Sequence, residues 1–326
     1  MTKIVALGAG RMGRGIAQVF AYGGYEVSII DFKERSADGS ANLLREAKAE
    51  VEENLRLLNF LNVVQENEIQ NTLNRIELIP LQHSKERLIE ADYIFESVPE
   101  TLKSKKDALY RASLFAGSDT VIASTTSTIL STKLATFTSK PSHFLNAHFL
   151  NPAFLIPLVE VSPCEETKQE IIDGLIALLE GIGKVPVQCK PSPGYIVPRL
   201  QSLIMSEACR MVEEGVASAE DIDRAVTSGL GIRFATMGPI EFVDWGGLDI
   251  LYYANSYLSG ELGNRFKTPN IVEEKMDKGS LGLKSGKGMY DYCNVDMNAY
   301  KEQKLETFIT LLMRLDLMPK SAKSRR

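Results

Sequence analysis

Three glycines near the start of the chain have a spacing that could bind a diphosphate. Gly8, Gly10 and Gly13 stand at G-x-G-x-x-G spacing, directly after an apolar run that reads as a buried strand. The first glycine permits a tight turn, the second lets phosphates approach the backbone, and the third lets the following helix pack closely. The start of that helix presents free N–H groups and a partial positive charge. The motif therefore predicts a dinucleotide site, with Arg11 and Met12 among its contacts.

An acidic residue follows the glycines at the distance expected for a ribose contact. Asp31 ends the second apolar run, 18 residues after Gly13. Its carboxylate can accept hydrogen bonds from both ribose hydroxyls, and its charge would repel a 2′-phosphate. The sequence therefore predicts NAD, rather than NADP, as the cofactor. The alternative is a glycine-rich turn of another α/β protein, but the strand, helix and acid that the motif requires are all present.

Further polar residues stand where predicted strands end. Glu100, the Ser124–Ser127 segment and His148 each lie at or just beyond such an end. Ligands of a doubly wound sheet bind outside the carboxyl ends of its strands, so these side chains could face one crevice. The three histidines and four cysteines show no metal-ligand spacing, and we predict no metal site.

The order of strand and helix patterns predicts the fold that positions these residues. Apolar runs recur as far as residue 188 and alternate with helical patterns. This alternation predicts an α/β domain over residues 1–190, with a Rossmann-type, doubly wound, mostly parallel sheet. A helix-pair insertion at about 36–75 is long for a β-α-β connection. It is either a surface excursion or a lid over bound substrate.

The pattern changes at the segment PSPGYIV, which begins at Pro191. Two prolines and a glycine predict a linker there, and the patterns beyond it are helical only. We therefore predict an all-helical substrate and dimerisation domain over 191–318 and a tail over 319–326. Large apolar residues on several of these helices favour a homodimer.

Composition limits the classes of partner and compartment. The 326 residues are 44% hydrophobic and 24% charged, as in ordinary globular proteins, and the net charge of −5 gives no reason to expect nucleic acid or an acidic membrane as a partner. The widely spaced cysteines favour a reducing compartment. We predict neither a signal peptide nor a membrane span, and we expect a cytoplasmic protein.

Several segments of the chain together resemble the L-3-hydroxyacyl-CoA dehydrogenase family. They occur in the family's order and cover roughly residues 2–292. The resemblance implies a NAD-binding domain followed by a dimerising helical domain. It also implies oxidation of a 3-hydroxyl group to a ketone, with transfer of a hydride to NAD. The segments are GAGRMGRGIA, VPETLKSKK, STTST, HFLNP, LVEVSP, PGYIVPRL, GPIEFVDWGGLD and KSGKGMYDY.

The resemblance assigns catalytic roles to three residues. His148 matches the family's catalytic base, and histidine, with an ordinary pKa near 6.5, suits proton removal near neutral pH. Glu160, 12 residues later, matches the acidic partner that would fix the imidazole tautomer. Ser127 matches the serine that hydrogen-bonds the reacting oxygen.

The resemblance also implies further cofactor contacts. Glu100, Lys105 and Asn151 match residues near the nicotinamide ribose. Lys284 matches a lysine that closes over the cofactor from the second domain.

Three departures from the family bear on the substrate. Pro198 stands where the family has an asparagine that holds substrate near the catalytic pair, and proline has no side-chain donor. Pro157 stands where CoA-using members usually have lysine, and its segment looks more like the lambda-crystallin (L-gulonate dehydrogenase) and carnitine dehydrogenase branches, which act on free acids. Residues 33–75 hold six basic and eight acidic residues, a poor steering surface for the phosphates of CoA.

Three functions therefore remain under consideration. The first is oxidation of a short-chain L-3-hydroxyacyl-CoA, such as 3-hydroxybutyryl-CoA, in fatty acid metabolism. The second is the same hydride chemistry on a free hydroxy acid, whose carboxylate Arg199 or Arg233 would bind. The third is a non-catalytic NAD-binding structural or sensor protein. Pro198 alone favours the third, and the matched base, acid and serine argue against it.

Overall fold

The computed structural model describes residues 2–319, in which an α/β unit precedes a helical unit. The strands of the first unit are β1 (Lys3–Leu7), β2 (Glu26–Asp31), β3 (Ile76–Pro80), β4 (Tyr93–Glu96), β5 (Val121–Ser124), β6 (Phe144–Phe149), β7 (Leu158–Pro163) and β8 (Val185–Gln188). Its helices are α1 (Arg11–Tyr22), α2 (Ala37–Phe60), α3 (Glu66–Asn74), α4 (Ser84–Glu90), α5 (Leu102–Phe115), α6 (Ser131–Ala135) and α7 (Gln169–Gly181).

The eight strands form one sheet in the order β3-β2-β1-β4-β5-β6-β7-β8. Every neighbouring pair is parallel except β6 and β7, which are antiparallel. The predicted Rossmann-type, mostly parallel sheet is therefore confirmed. Because β1 to β6 run in one direction, their carboxyl ends share one edge of the sheet.

Both faces of the sheet are covered, which explains the continuous apolar runs. In β1, Ile4 and Ala6 join one buried hydrophobic cluster, whereas Val5 and Leu7 join another on the opposite face. Side chains alternate along a strand, so a strand buried on both faces needs apolar residues at every position.

The predicted helix pair consists of α2 and α3, and α2 packs against α1, β2 and β3 of the same unit. Its apolar stripe of Leu44, Ala47, Val51, Leu55 and Leu58 is buried in the same hydrophobic cluster as residues of α1. The spacing of three to four residues places these side chains on one helical face. Ion pairing of Arg14 with Glu50 further joins α1 to α2. Whether this arm covers a bound substrate stays a prediction.

The eighth helix, α8 (Val197–Glu213), begins in the first unit and continues into the helical unit. The other helices of the helical unit are α9 (Ala219–Ala225), α10 (Gly231–Thr236), α11 (Pro239–Gly246), α12 (Leu248–Leu262), α13 (Asn270–Asp277) and α14 (Met297–Arg314). The two compact units divide between Met205 and Ser206, inside α8, whereas the predicted boundary at 190/191 precedes that helix. Beyond α8 the described residues contain helices, turns and two isolated β-bridges at Lys287, in agreement with the predicted helical domain.

Among residues 2–319, no helix combines the length and apolarity needed to cross a bilayer, and no group of three side chains is arranged to hold a metal ion. The predicted tail lies outside the described residues except for Pro319.

Candidate active site

The glycine motif forms the expected turn between β1 and α1. Gly8 has φ of 122°, and a Cβ atom there would lie 2.9 Å from the carbonyl oxygen of Ser97. A Cβ atom on Gly13 would lie 1.9 Å from the carbonyl oxygen of Gly8, so the helix can approach the turn only with glycine at this position. Gly10 immediately precedes Arg11, the first residue of α1, and a Cβ atom on Gly10 would have no neighbouring atom within 4 Å. This cradle fits a pyrophosphate against the helix N-terminus.

Asp31 has a carboxylate oxygen available for a ribose hydroxyl. The side chain is almost fully buried at the end of β2, and Nε of Arg35 lies 3.2 Å from each of its oxygens. Oδ1 accepts a hydrogen bond from that nitrogen, whereas Oδ2 accepts none in the described residues. A buried acceptor without a donor is costly, so a ribose hydroxyl there would satisfy it. These residues fit NAD.

The antiparallel pairing of β6 and β7 brings the predicted base and acid together. His148 and Glu160 are directly opposite in the register, and Nδ1 of His148 lies 2.8 Å from Oε2 of Glu160. The other oxygen, Oε1, accepts hydrogen bonds from the N–H groups of Ile196 and Val197 at 2.9 and 2.8 Å. The carboxylate therefore joins the imidazole to the start of α8.

These hydrogen bonds keep Glu160 charged although it is buried. Burial would raise the pKa of Glu160, but the bonds from His148 and from the N–H groups of Val197 and Ile196 lower it below its ordinary value. A charged carboxylate can only accept hydrogen bonds, so the Nδ1 atom of His148 carries a proton. The lone pair of the neutral ring is then on Nε2, the atom that can accept a proton from an alcohol.

Tyr195, which was not among the predicted site residues, packs on the His148 ring. The ring centroids lie 5.2 Å apart and the planes are inclined by 13°. The phenol hydroxyl donates to the carbonyl oxygen of Thr126 at 3.0 Å and accepts from Nδ2 of Asn146 at 2.8 Å. Burial raises the pKa of Tyr195, so the phenol stays protonated and can donate. The prolines and glycine of its segment predict a linker, and the aromatic side chain itself is the one signal that could have indicated packing.

Glu100 organises the hydroxyl-rich loop that follows β5. Its Oε1 atom accepts hydrogen bonds from the N–H groups of Ser127 and Thr128 at 3.0 and 3.3 Å. The hydroxyls of Thr126 and Thr128 donate to the same oxygen. The structure therefore brings Glu100 and Ser127 together, and Ser127 is exposed.

Lys105 is enclosed between two carboxylates. It is 1% exposed, and its Nζ lies 3.0 and 3.1 Å from the oxygens of Glu96 and 3.2 Å from Oε2 of Glu100. Glu96 is fully buried and also accepts a hydrogen bond from the Ser124 hydroxyl at 2.5 Å. Because Lys105 has little open surface, we expect Glu100 to make the cofactor contact and Lys105 to hold it. Glu96, at the end of β4, was not among the predicted site residues.

The remaining predicted contacts lie elsewhere in the two units. Asn151 is exposed two residues after the end of β6, and its peptide bond to Pro152 is cis. In the helical unit, Lys284 forms an ion pair with Asp249 at the start of α12. The cofactor contacts proposed for Asn151 and Lys284 stay predictions.

The departure at residue 198 is compatible with the helix that contains it. Pro198 is the second residue of α8, in a first turn whose N–H groups have no partner within the helix. The proline therefore costs the helix little, but it brings no donor. Arg199 is exposed in the same turn, whereas the guanidinium of Arg233 lies 5.5 Å from the ring centroid of Phe242.

Comparison with known families identifies the chain. The sequence model described as 3-hydroxyacyl-CoA dehydrogenase, NAD binding domain, matches residues 3–192, and that of the C-terminal domain matches residues 194–292. The chain belongs to the 3-hydroxyacyl-CoA dehydrogenase family. It is thus an NAD-dependent oxidoreductase that acts on CH–OH groups, and the non-catalytic alternative is not supported.

Relatives within the family carry different names. A 5-formyl-3-hydroxy-2-methylpyridine 4-carboxylate 5-dehydrogenase of Mesorhizobium japonicum is 30% identical over 310 residues, 95% of this chain and 96% of the relative. A probable 3-hydroxybutyryl-CoA dehydrogenase of Bacillus subtilis is 30% identical over 292 residues, 89% and 97% of the two chains. The solved structure of a 3-hydroxyacyl-CoA dehydrogenase of Archaeoglobus fulgidus has a TM-score of 0.78 and 32% identity, and covers 98% of this chain and 100% of that one.

Proposed function

We propose that this enzyme oxidises the 3-hydroxyl group of a short-chain L-3-hydroxyacyl-CoA, such as 3-hydroxybutyryl-CoA, to the 3-oxo product. The observation that carries the proposal is the buried His148–Glu160 pair, which lies at the carboxyl end of β6. The glycine turn follows β1, which is parallel to β6 in the same sheet, so both features lie at one edge. The Bacillus relative, named for this substrate, supports it.

In the proposed reaction, His148 is the general base. Its Nε2 atom accepts the proton of the substrate hydroxyl, while the carbon that bears this hydroxyl loses a hydride and becomes a ketone. NAD, when bound, supplies the acceptor of that hydride. Glu160 keeps Nδ1 protonated and stabilises the imidazolium that the proton transfer creates.

Ser127 is proposed to orient the reacting oxygen. Its exposed side chain lies on the loop that Glu100 holds through backbone and hydroxyl hydrogen bonds. A hydroxyl in a fixed loop can donate to the substrate oxygen without a large loss of freedom on binding. With Pro198 in place of asparagine, this donor carries a larger share of the orientation.

A free hydroxy acid is the second candidate substrate. The Mesorhizobium relative is named for a pyridine carboxylate rather than a CoA ester. On α2, Arg56 already pairs with Glu52 at 2.7 Å, so this helix offers fewer unpaired cations to the phosphates of CoA. These two observations favour a free carboxylate, which the exposed Arg199 could bind.

A substrate panel distinguishes the two candidates. We expect purified enzyme with NAD to produce NADH from short-chain L-3-hydroxyacyl-CoAs, with a lower kcat/KM for the matching free acids. The measurement is absorbance of NADH, with NADP tested in parallel. Higher kcat/KM with the free acids would establish the second candidate, and no turnover across both sets would overturn the proposal.

A His148→Gln variant tests the assignment of the base. We expect kcat to fall by at least about 100-fold, since the proton acceptor is lost, while the affinity for NADH is unchanged. His83→Gln is the matched control, because His83 is exposed and outside the site. Turnover of the His148 variant close to the wild-type value would contradict the assignment.

A further inference from the structure

Tyr195 occupies a tightly defined position next to the proposed base. It is 5% exposed, and its backbone has the unusual positive φ of 46°. A non-glycine residue in this region of backbone space needs compensating contacts. The ring stack on His148 and the two hydrogen bonds of the hydroxyl supply such contacts.

The Tyr195 hydroxyl connects two elements that carry proposed catalytic groups. Its acceptor, the Thr126 carbonyl, directly precedes Ser127, and its donor, Asn146, lies two residues before His148 on β6. Residues two apart in a strand point to the same face, so Asn146 lies beside His148. The phenol therefore bridges the loop after β5 to the functional face of β6.

The same tyrosine packs its ring against the imidazole. The near-parallel arrangement, with centroids 5.2 Å apart, restricts rotation of the His148 ring out of the plane that Glu160 selects. An aromatic face also attracts a cation, so it favours the imidazolium formed after proton transfer. The Glu160 carboxylate thus holds the edge of the imidazole through Nδ1, and the Tyr195 ring holds its face.

We propose that Tyr195 is a positioning residue for the reaction. Its ring fixes the plane of His148, and its hydroxyl fixes the distance between the base and the loop that carries Ser127. This inference rests on the proposed function, in which His148 takes the proton and Ser127 orients the oxygen.

Two substitutions separate the ring from the hydroxyl. Tyr195→Phe keeps the stack and removes the bridge, and we expect kcat to fall by about tenfold while KM for NAD stays within about twofold. Tyr195→Leu removes both, and we expect a fall of about 100-fold. Tyr93→Phe is the matched control. This half-buried tyrosine is the first residue of β4, at the end of the strand that lies away from the candidate site. It should keep wild-type kcat.

The bridge can be measured by a double-mutant cycle with Ser127→Ala. If the hydroxyl acts through the loop, Tyr195→Phe should lower kcat much less in the Ser127→Ala background than in the wild type. Independent, multiplicative losses would overturn the bridging role. A loss of kcat in proportion to the unfolded fraction, measured by thermal melting, would overturn it as well.

The stack has a spectroscopic signature that does not depend on turnover. With only three histidines in the chain, His148→Gln identifies the ring signals of His148 in spectra of histidine-labelled enzyme. We expect ring-current shifts of these signals in the wild type and in Tyr195→Phe, and their loss in Tyr195→Leu. Absence of these shifts in the wild type would overturn the positioning role. Their presence without turnover of any panel substrate would instead refute the proposed function.

Discussion

The two oxygens of Glu160 perform different tasks. Oε2 bonds the His148 imidazole, while Oε1 accepts from two backbone N–H groups where α8 begins. Negative charge at a helix N-terminus is favourable because of the free donors and the helix dipole. The arrangement explains how a fully buried carboxylate can stay charged beside the imidazole of His148.

The lowered pKa of Glu160 predicts a pH-dependent contribution to stability. A folded-state pKa below the ordinary value of 4.5 stabilises the fold fully above that value, and this stabilisation is lost as pH falls through the lowered pKa. We expect Glu160→Gln to melt at a lower temperature than the wild type near about pH 7, and the difference to shrink below about pH 4. Melting followed by circular dichroism across this range measures it.

A surface carboxylate provides the comparison for that experiment. Glu170 lies in the first turn of α7 with a side chain that is 71% exposed, so Glu170→Gln should leave the acid dependence of the melting temperature unchanged. A constant difference between wild type and Glu160→Gln at every pH would contradict the role given to the charge.

We expect cofactor choice to depend on two residues four positions apart. The charge of Asp31 would repel a 2′-phosphate, but Arg35 lies against the same carboxylate. Arginine binds phosphate through paired donors, so the cation that now restrains Asp31 could bind the extra phosphate once that acid is removed.

A double-mutant cycle at this site tests the cofactor prediction. We expect Asp31→Ala to shift the ratio of NADPH to NADH affinity by at least about tenfold toward NADPH. Adding Arg35→Gln should remove most of that gain, whereas adding Lys33→Gln, a change at an exposed neighbour, should not. Dissociation constants from nucleotide fluorescence give the readout. An unchanged ratio in Asp31→Ala would refute the role of the acid.

At the scale of elements, local patterns predicted most of the first unit. The apolar stripe of α2 repeats every three to four residues, and the strands that are buried on both faces appear as short apolar runs. Both signals arise from neighbours in the sequence, which is why they can be read there. The short helix α4 (Ser84–Glu90) was not predicted, because its seven residues span barely two turns.

Contacts between distant segments could not be predicted in the same way. The stack of Tyr195 on His148 joins residues 47 positions apart, and the ion pair of Glu96 with Lys105 depends on two side chains that are both buried. Neither contact leaves a periodic signal. Motifs identified His148, Glu160 and Ser127 in the sequence. The contacts that hold them in place are visible only in the folded structure.

At the scale of the whole molecule, the proposed homodimer depends on the helical unit. Ile250, Tyr253 and Tyr257 lie on one face of α12 and are 62%, 63% and 69% exposed. Exposure of three neighbouring large apolar side chains to water is unfavourable, and a second copy of the unit would cover them.

Charge introduced on this face should separate the subunits. We expect the wild type to sediment as a dimer and Tyr257→Glu to shift toward monomer, because burial of an unpaired carboxylate is unfavourable. Tyr110→Glu, on an exposed position of α5 in the first unit, should remain dimeric. A monomeric wild type would refute the dimer.

A cytoplasmic location stays a prediction, which rests on the wide spacing of the four cysteines in the sequence.

The antiparallel register of β6 and β7 has a consequence for how such enzymes diverge. His148 faces Glu160 only because the two strands pair in one alignment, and side chains alternate between faces along β7. An extra residue inside β7 would turn a valine toward the imidazole and remove the acid that the proposed proton transfer requires. An extra residue in the connecting turn, 150–157, would leave that pairing intact. Descendants are therefore free to remodel the turn and acquire new substrates while inheriting the proton-transfer machinery unaltered.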